Sequence, residues 1–97
     1  MLTANQSKFL RSHAHHLSPV LWVGANGVTE SVIAELNQTL DTHELIKVKL
    51  LHDDRELRAQ LIAELCQASG ADKVQTIGKI VVLFRKNTQQ PKITLPK

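Results

Sequence analysis

The apolar positions change period along the chain, and each change marks an element. Thr3-Ala4-Asn5-Gln6 has the capping-box spacing, in which a Thr hydroxyl and a Gln amide satisfy free backbone donors, so a helix is predicted from about Ala4 to His15. Its apolar stripe is thin. Phe9, Leu10 and Ala14 are the core positions, while Lys8, Arg11, His13 and His15 stay at the surface. Ser18-Pro19 breaks the chain before Val20-Leu21-Trp22-Val23, an unbroken apolar run expected of a short strand buried on both faces, with Trp22 in the core. A turn follows at Gly24 to Gly27. Thr29 then caps a second helix, Glu30 to Asp41, in which Val28, Val32, Ile33, Leu36 and Leu40 recur at helical spacing. Val28 and Ile33 occupy the two positions of a hydrophobic staple.

From Leu45 to Leu51 the period becomes two, with Ile46, Val48 and Leu50 on one side and Lys47 and Lys49 on the other. Asp53-Asp54 opens a third helix, whose stripe is Leu57, Leu61, Ile62 and Leu65 and whose left-handed stop is Gly70. Lys73 to Ile77 and Lys79 to Phe84 are strands around Gly78, and so short a connection makes them antiparallel. Residues 87–97, with Pro91 and Pro96, read as a basic tail in which Ile93-Thr94-Leu95 is a candidate edge strand. The order is α-β-α-β-α-β-β. Strands joined through a helix run parallel in one sheet, so the expected fold class is α/β, a two-layer sandwich with a four-stranded mixed sheet. With 97 residues, 42% of them hydrophobic, the chain has material for one core, and residues 1–97 are expected to form a single domain.

Charge sharpens the picture. All nine acids lie between Glu30 and Asp72, where four cations (Lys47, Lys49, Arg55 and Arg58) leave a net −5. The flanking segments hold no acid, and their Lys8, Arg11, Lys73, Lys79, Arg85, Lys86, Lys92 and Lys97 sum to +8. If the fold brings the ends together they form one basic face, the footprint of a polyanion binder; otherwise they are solubilising tails. Cys66 is a single cysteine within a helical apolar pattern and reads as a small core residue of a reduced, cytoplasmic protein rather than a catalytic thiol. Neither a signal peptide nor a membrane span is expected from the apolar runs.

One motif carries chemistry. Gly24-Ala25-Asn26-Gly27 lies between a strand and a helix N-terminus, where free amides and a partial positive charge form an anion site resembling the GXXG loop that clamps nucleotides. The same glycines also suit a plain turn, and Glu30 puts a negative charge in the first helical turn. His13, His15 and His16 do not give a closed tetrahedral set, so no metal is expected. His43-Glu44 has no nucleophile placed beside it and reads as a satisfied pair at a strand start. The few aromatics argue against base-stacking platforms and for backbone and shape recognition.

Beyond these single features, the chain resembles the CRM domain family, named for chloroplast RNA splicing and ribosome maturation, and within it the stand-alone bacterial members of YhbY type. The resemblance rests on Leu2-Thr3 with Lys8, Leu10, Arg11 and Ala14-His15; on Pro19-Val20; on Val23-Gly24-Ala25-Asn26-Gly27-Val28-Thr29; on Glu35, Leu40 and His43 to Val48; and on Val74-Gln75, Ile77-Gly78 and Val82 to Arg85. It implies an α/β RNA-binding module similar to the C-terminal domain of translation initiation factor three, associated with precursors of the large ribosomal subunit. Two departures stand out. Ala25 and Asn26 occupy a loop in which many members place a basic residue, and Phe84 replaces a frequent tyrosine. The expected RNA-binding residues are Lys8, Arg11, His15, Gly24, Ala25, Asn26, Gly27, Thr29, Lys47 and Arg85, with ribosomal RNA as partner and with no cofactor or small-molecule substrate. The alternative is an adaptor whose acidic helices hold a basic ribosomal protein. An RNA-modifying enzyme has no catalytic set in the sequence to support it.

Overall fold

The computed structural model describes residues 2–96 and sets its elements in the expected order. They are α1 (Ala4–Ala14), β1 (Pro19–Val23), α2 (Glu30–His43), β2 (Leu45–Leu50), α3 (Arg55–Ser69), β3 (Asp72–Ile77) and β4 (Ile80–Phe84). Local chemistry explains the boundaries. Thr3 Oγ1 accepts from the Gln6 amide at 3.1 Å, and the Thr3 amide donates to Gln6 Oε1 at 3.0 Å, which completes the box at the start of α1. Asp54 caps α3 by accepting from the amides of Glu56 and Leu57, and Gly70 ends it at φ 73°. Helix α2 runs to His43, past the expected Asp41, and stops on Glu44 at φ 63°, a left-handed value on a residue with a side chain.

The sheet order is β1-β2-β4-β3. Strands β1 and β2 are parallel, and β4 is antiparallel to both of its neighbours, so β1, β2 and β3 share a direction while the last strand inserts between β2 and β3. Leu21, Val23, Ile46, Val48, Leu50, Val81 and Leu83 face α2 and α3 and form the larger core with Leu36, Leu40, Leu61, Ile62 and Leu65. The opposite face has its own cluster: Leu45, Val74, Val82 and Phe84 pack under Leu10 and Ala14 of α1. To the expected two layers the structure thus adds a partial third. The cause lies in β4, where Val82 and Phe84 alternate with Val81 and Leu83 and leave both faces apolar.

Three details differ from the sequence reading. Trp22 is 53% exposed rather than in the core, because β1 is an edge strand and α1 contacts β2, β3 and β4 instead. Leu57, in the first turn of α3, is also exposed, which leaves Leu61, Ile62 and Leu65 to fill the core. The tail forms no strand at Ile93-Thr94-Leu95. Instead it folds back onto the α1 side, where Ile93 and Leu95 pack against the smaller core. Glu44, fully buried, holds it there: Oε2 accepts from the Asn87 amide at 2.6 Å, and Oε1 accepts from the amides of Lys92 at 2.6 Å and Ile93 at 2.8 Å. Burial pushes the Glu44 pKa up, yet the three amides and the nearby Lys86 charge outweigh burial and leave it lowered. Lys97, counted among the basic charges, lies outside the described residues.

Candidate nucleic-acid interface

Residues far apart in sequence meet where α1 crosses the sheet. Leu10 and Ala14 turn into the smaller core, which leaves Lys8 and Arg11, one helical turn apart, on the outer surface of the helix. Lys47 faces the same side, because its neighbours Ile46 and Val48 point into the opposite core. Arg11, His15, His16, Lys47, Gln75 and Ile77 line an open groove of about 400 Å³, and no acidic side chain contributes to its wall. The groove collects Arg11, His15 and Lys47 of the expected set, with Lys8 exposed on the same helix.

The Gly24 to Gly27 loop sits at the end of the sheet where β1 and β2 finish. Gly27 N donates to Gly24 O at 3.0 Å and closes the turn, and Gly27 holds φ 71°, so this glycine answers a backbone requirement. Gly24 answers none. Its φ is outside the left-handed region, and a Cβ built there meets nothing within 4 Å. Ala25 and Asn26 are exposed at the tip, and Thr29 Oγ1 accepts from the Val32 amide at 3.2 Å to cap α2. The loop is anchored by the residues that follow β2: Leu51 N donates to Val23 O at 2.9 Å, and His52 Nε2 lies 2.9 Å from Gly24 O.

At the same end of the sheet, two arginines that the sequence reading had assigned to the acidic middle of the chain meet a lysine from its basic C-terminal segment. Arg55, Arg58, Lys73 and Thr76 line a second open groove, of about 440 Å³, beside Gly78. Arg58 Nη1 is tied down by donating to the carbonyls of His52 at 2.7 Å and Asp53 at 2.9 Å. Lys79 reaches Asp53 at 2.6 Å, and this hydrogen bond and charge lower the Asp53 pKa. Charge counted by sequence segment set Arg55 and Arg58 apart from Lys73, whereas α3 and β3 adjoin in space. The signal available was that Arg55 and Arg58 lie one turn apart at the start of a helix.

Arg85 does not join either groove. It follows Phe84 at the opposite end of the sheet and binds inward: Nη1 donates to Asn37 Oδ1 at 2.7 Å and Ser69 O at 2.8 Å, and Nη2 to Asn37 O at 3.1 Å and Asp41 Oδ1 at 2.6 Å. It is a clamp joining β4 to the C-terminal halves of α2 and α3, and the expected single basic face therefore lacks it. Phe84, whose missing hydroxyl set this chain apart, is buried under α1. Cys66 is partly buried, and burial, with Asp72 nearby, raises its pKa and disfavours the thiolate a nucleophile needs. Among the described residues no three His, Cys, Asp or Glu side chains gather as a metal-ligand set, and no helix is long and apolar enough to cross a membrane.

Comparison with known proteins places this arrangement. Residues 2–85 match the model of the CRS1 / YhbY (CRM) domain. A Pseudomonas aeruginosa protein named a probable RNA-binding protein is 50% identical over 91 residues, covering 94% of this chain and 88% of its own. An RNA-binding protein of Haemophilus influenzae is 46% identical over 96 residues, covering 99% and 96%. The solution structure of a Staphylococcus aureus protein, described as a candidate RNA-binding protein, superposes with a TM-score of 0.85 at 35% identity, over 99% of this chain and 100% of the other. By sequence along nearly its whole length, and by fold, this chain belongs to the CRS1 / YhbY (CRM) domain family.

Proposed function

We propose that this protein is a cytoplasmic RNA-binding factor that holds ribosomal RNA in precursors of the large subunit and assists their assembly without chemistry of its own. The observation that carries the RNA reading is the convergence of Arg11, His15 and Lys47 on one groove with no acid in its wall. Relatives named for RNA binding support it, and the ribosomal partner rests on the resemblance to stand-alone bacterial members. In this reading Lys8, Arg11 and Lys47 neutralise phosphates along α1 and the sheet. The Gly24 to Gly27 loop, with Ala25, Asn26 and the Thr29-capped helix behind it, offers backbone amides to a further phosphate. Arg85 maintains the fold and touches no RNA.

Gly24 provides the discriminating test, since the fold does not need a glycine there. Gly24→Ala should unfold like the parent and bind a large-subunit RNA transcript more weakly, because a methyl group now stands where phosphate approaches the backbone. Ala25→Lys should bind more tightly. Binding should weaken log-linearly with salt, with a slope of about −0.7 per neutralised phosphate on single strands or −0.9 on duplex. Parent-like affinity in both loop variants removes the loop from the site. A flat salt response removes the RNA reading and favours a protein adaptor.

A further inference from the structure

Part of the α1-side face of the sheet is left uncovered, and a register row crosses it. Trp22 pairs with Lys49, Lys49 with Ile80, and Ile80 with Ile77, one residue from each strand. Leu21 and Val23 point into the larger core, so Trp22 between them projects to the α1 side, as do Lys47 and Lys49. Trp22 and Ile77 are each 53% exposed, and Lys49 and Ile80 are half-buried. Ile77 and Lys47 also line the Arg11 groove, so the row continues that groove toward the Gly24 loop, which starts two residues after Trp22.

A single exposed apolar side chain is ordinary on a protein surface, but an indole offers a large flat apolar face with a polar tip, a combination enriched at interfaces. Here its neighbours on the same face are lysines, and neither this row nor the adjoining Lys47-Val82-Gln75 row contains an acid. One aromatic ring beside two cations on an open sheet fits an unpaired nucleotide: the ring takes the base face and the ammonium groups take the flanking phosphates. A protein partner of matching chemistry would have to bring acids to the lysines and an apolar side chain to the indole. Continuity with the phosphate groove favours the nucleic acid.

We infer that Trp22, with Lys49 and Lys47 beside it, is a stacking platform for an unpaired RNA base adjacent to the groove. The inference rests on the RNA-binding reading above and extends it from backbone contact to recognition of an unpaired nucleotide. It also reverses the expectation that so few aromatics exclude stacking, since one tryptophan correctly placed suffices for one base.

The chain has one tryptophan and no tyrosine, so its fluorescence reports this site alone. The probes are a hairpin RNA with an unpaired adenosine loop and the same stem closed as a blunt duplex. The hairpin should quench the indole emission and the duplex should leave it unchanged. Trp22→Leu, which keeps an apolar side chain on an exposed position, should weaken hairpin binding on the order of 5- to 100-fold and spare duplex binding. Trp22→Phe should recover part of the loss. Tight hairpin binding without quenching, or equal affinity in Trp22→Leu, overturns the platform while leaving RNA binding intact. Failure of the parent to bind either RNA overturns both readings. Loss of a protein partner in Trp22→Leu, with no quenching by RNA, assigns the patch to protein docking and overturns the platform.

Discussion

Replacing Glu44 with glutamine should loosen the tail, and the structure sets the size of the effect. The carboxylate accepts three backbone N–H groups from residues that no regular element holds. An amide oxygen can keep two of them as neutral hydrogen bonds, and the new NH2 group then faces the third amide, donor against donor. Losing one charge-assisted bond costs about 1.5–3 kcal/mol, and weakening the other two adds to this, while the smaller cost of burying an amide offsets part of the sum. A net loss of about 2–3 kcal/mol results, or roughly 8–24 °C in melting temperature for a domain of this size. Thermal or urea unfolding followed by circular dichroism measures it. The pH dependence adds a second readout. Because the folded-state pKa of Glu44 is lowered, the unfolded chain binds more protons, so this stabilisation is complete above the ordinary carboxylate range and fades as pH falls through the folded-state value. Parent and Glu44→Gln should therefore differ most near neutral pH and converge in acid. A loss under about 0.5 kcal/mol, or a gap that persists in acid, would refute the clamp.

Gly27→Ala should cost about 1–2 kcal/mol in urea unfolding through its left-handed φ alone, since the added Cβ would lie 3.6 Å from Leu61 Cδ2 in ordinary contact. Arg11→Gln and Lys47→Gln should each lower the salt slope of RNA binding by about one and leave melting unchanged; an unaltered slope in both would exclude the groove. Arg85→Gln should destabilise by about 2 kcal/mol as the part-buried Asn37 and Ser69 acceptors lose their partner, yet the folded fraction should bind RNA like the parent. Weaker binding by that folded fraction would return Arg85 to the interface.

Local chemistry alone determined most of the elements. The Thr3-Gln6 box, the Thr29 cap and the Gly70 stop act within a few residues, and the strand periods of Ile46 to Leu50 follow from which faces must leave water, so the order and the mixed sheet were legible from residue spacing. Part of the candidate groove was legible for the same reason. Arg11 and His15 recur on one helix surface and Lys47 on one strand face, although that they share a groove depends on how α1 crosses the sheet. Strand position was not encoded locally. Val20 to Val23 reads as a central strand, yet β1 lies at the edge, and only the placement of α1 over the other three strands decides that Trp22 meets solvent. Arg85 shows the converse: counted as a free cation, it is consumed by Asn37, Ser69 and Asp41, brought to it from elements 44 to 48 and 16 residues away. Glu44 likewise looked like half of a strand-start pair, and its task of holding the tail exists only once residues 87–93 return to it. Spacing along the chain sets which side a residue faces, whereas what it faces is set by long-range packing, and exposure, pairing and charge neutralisation all depend on the second.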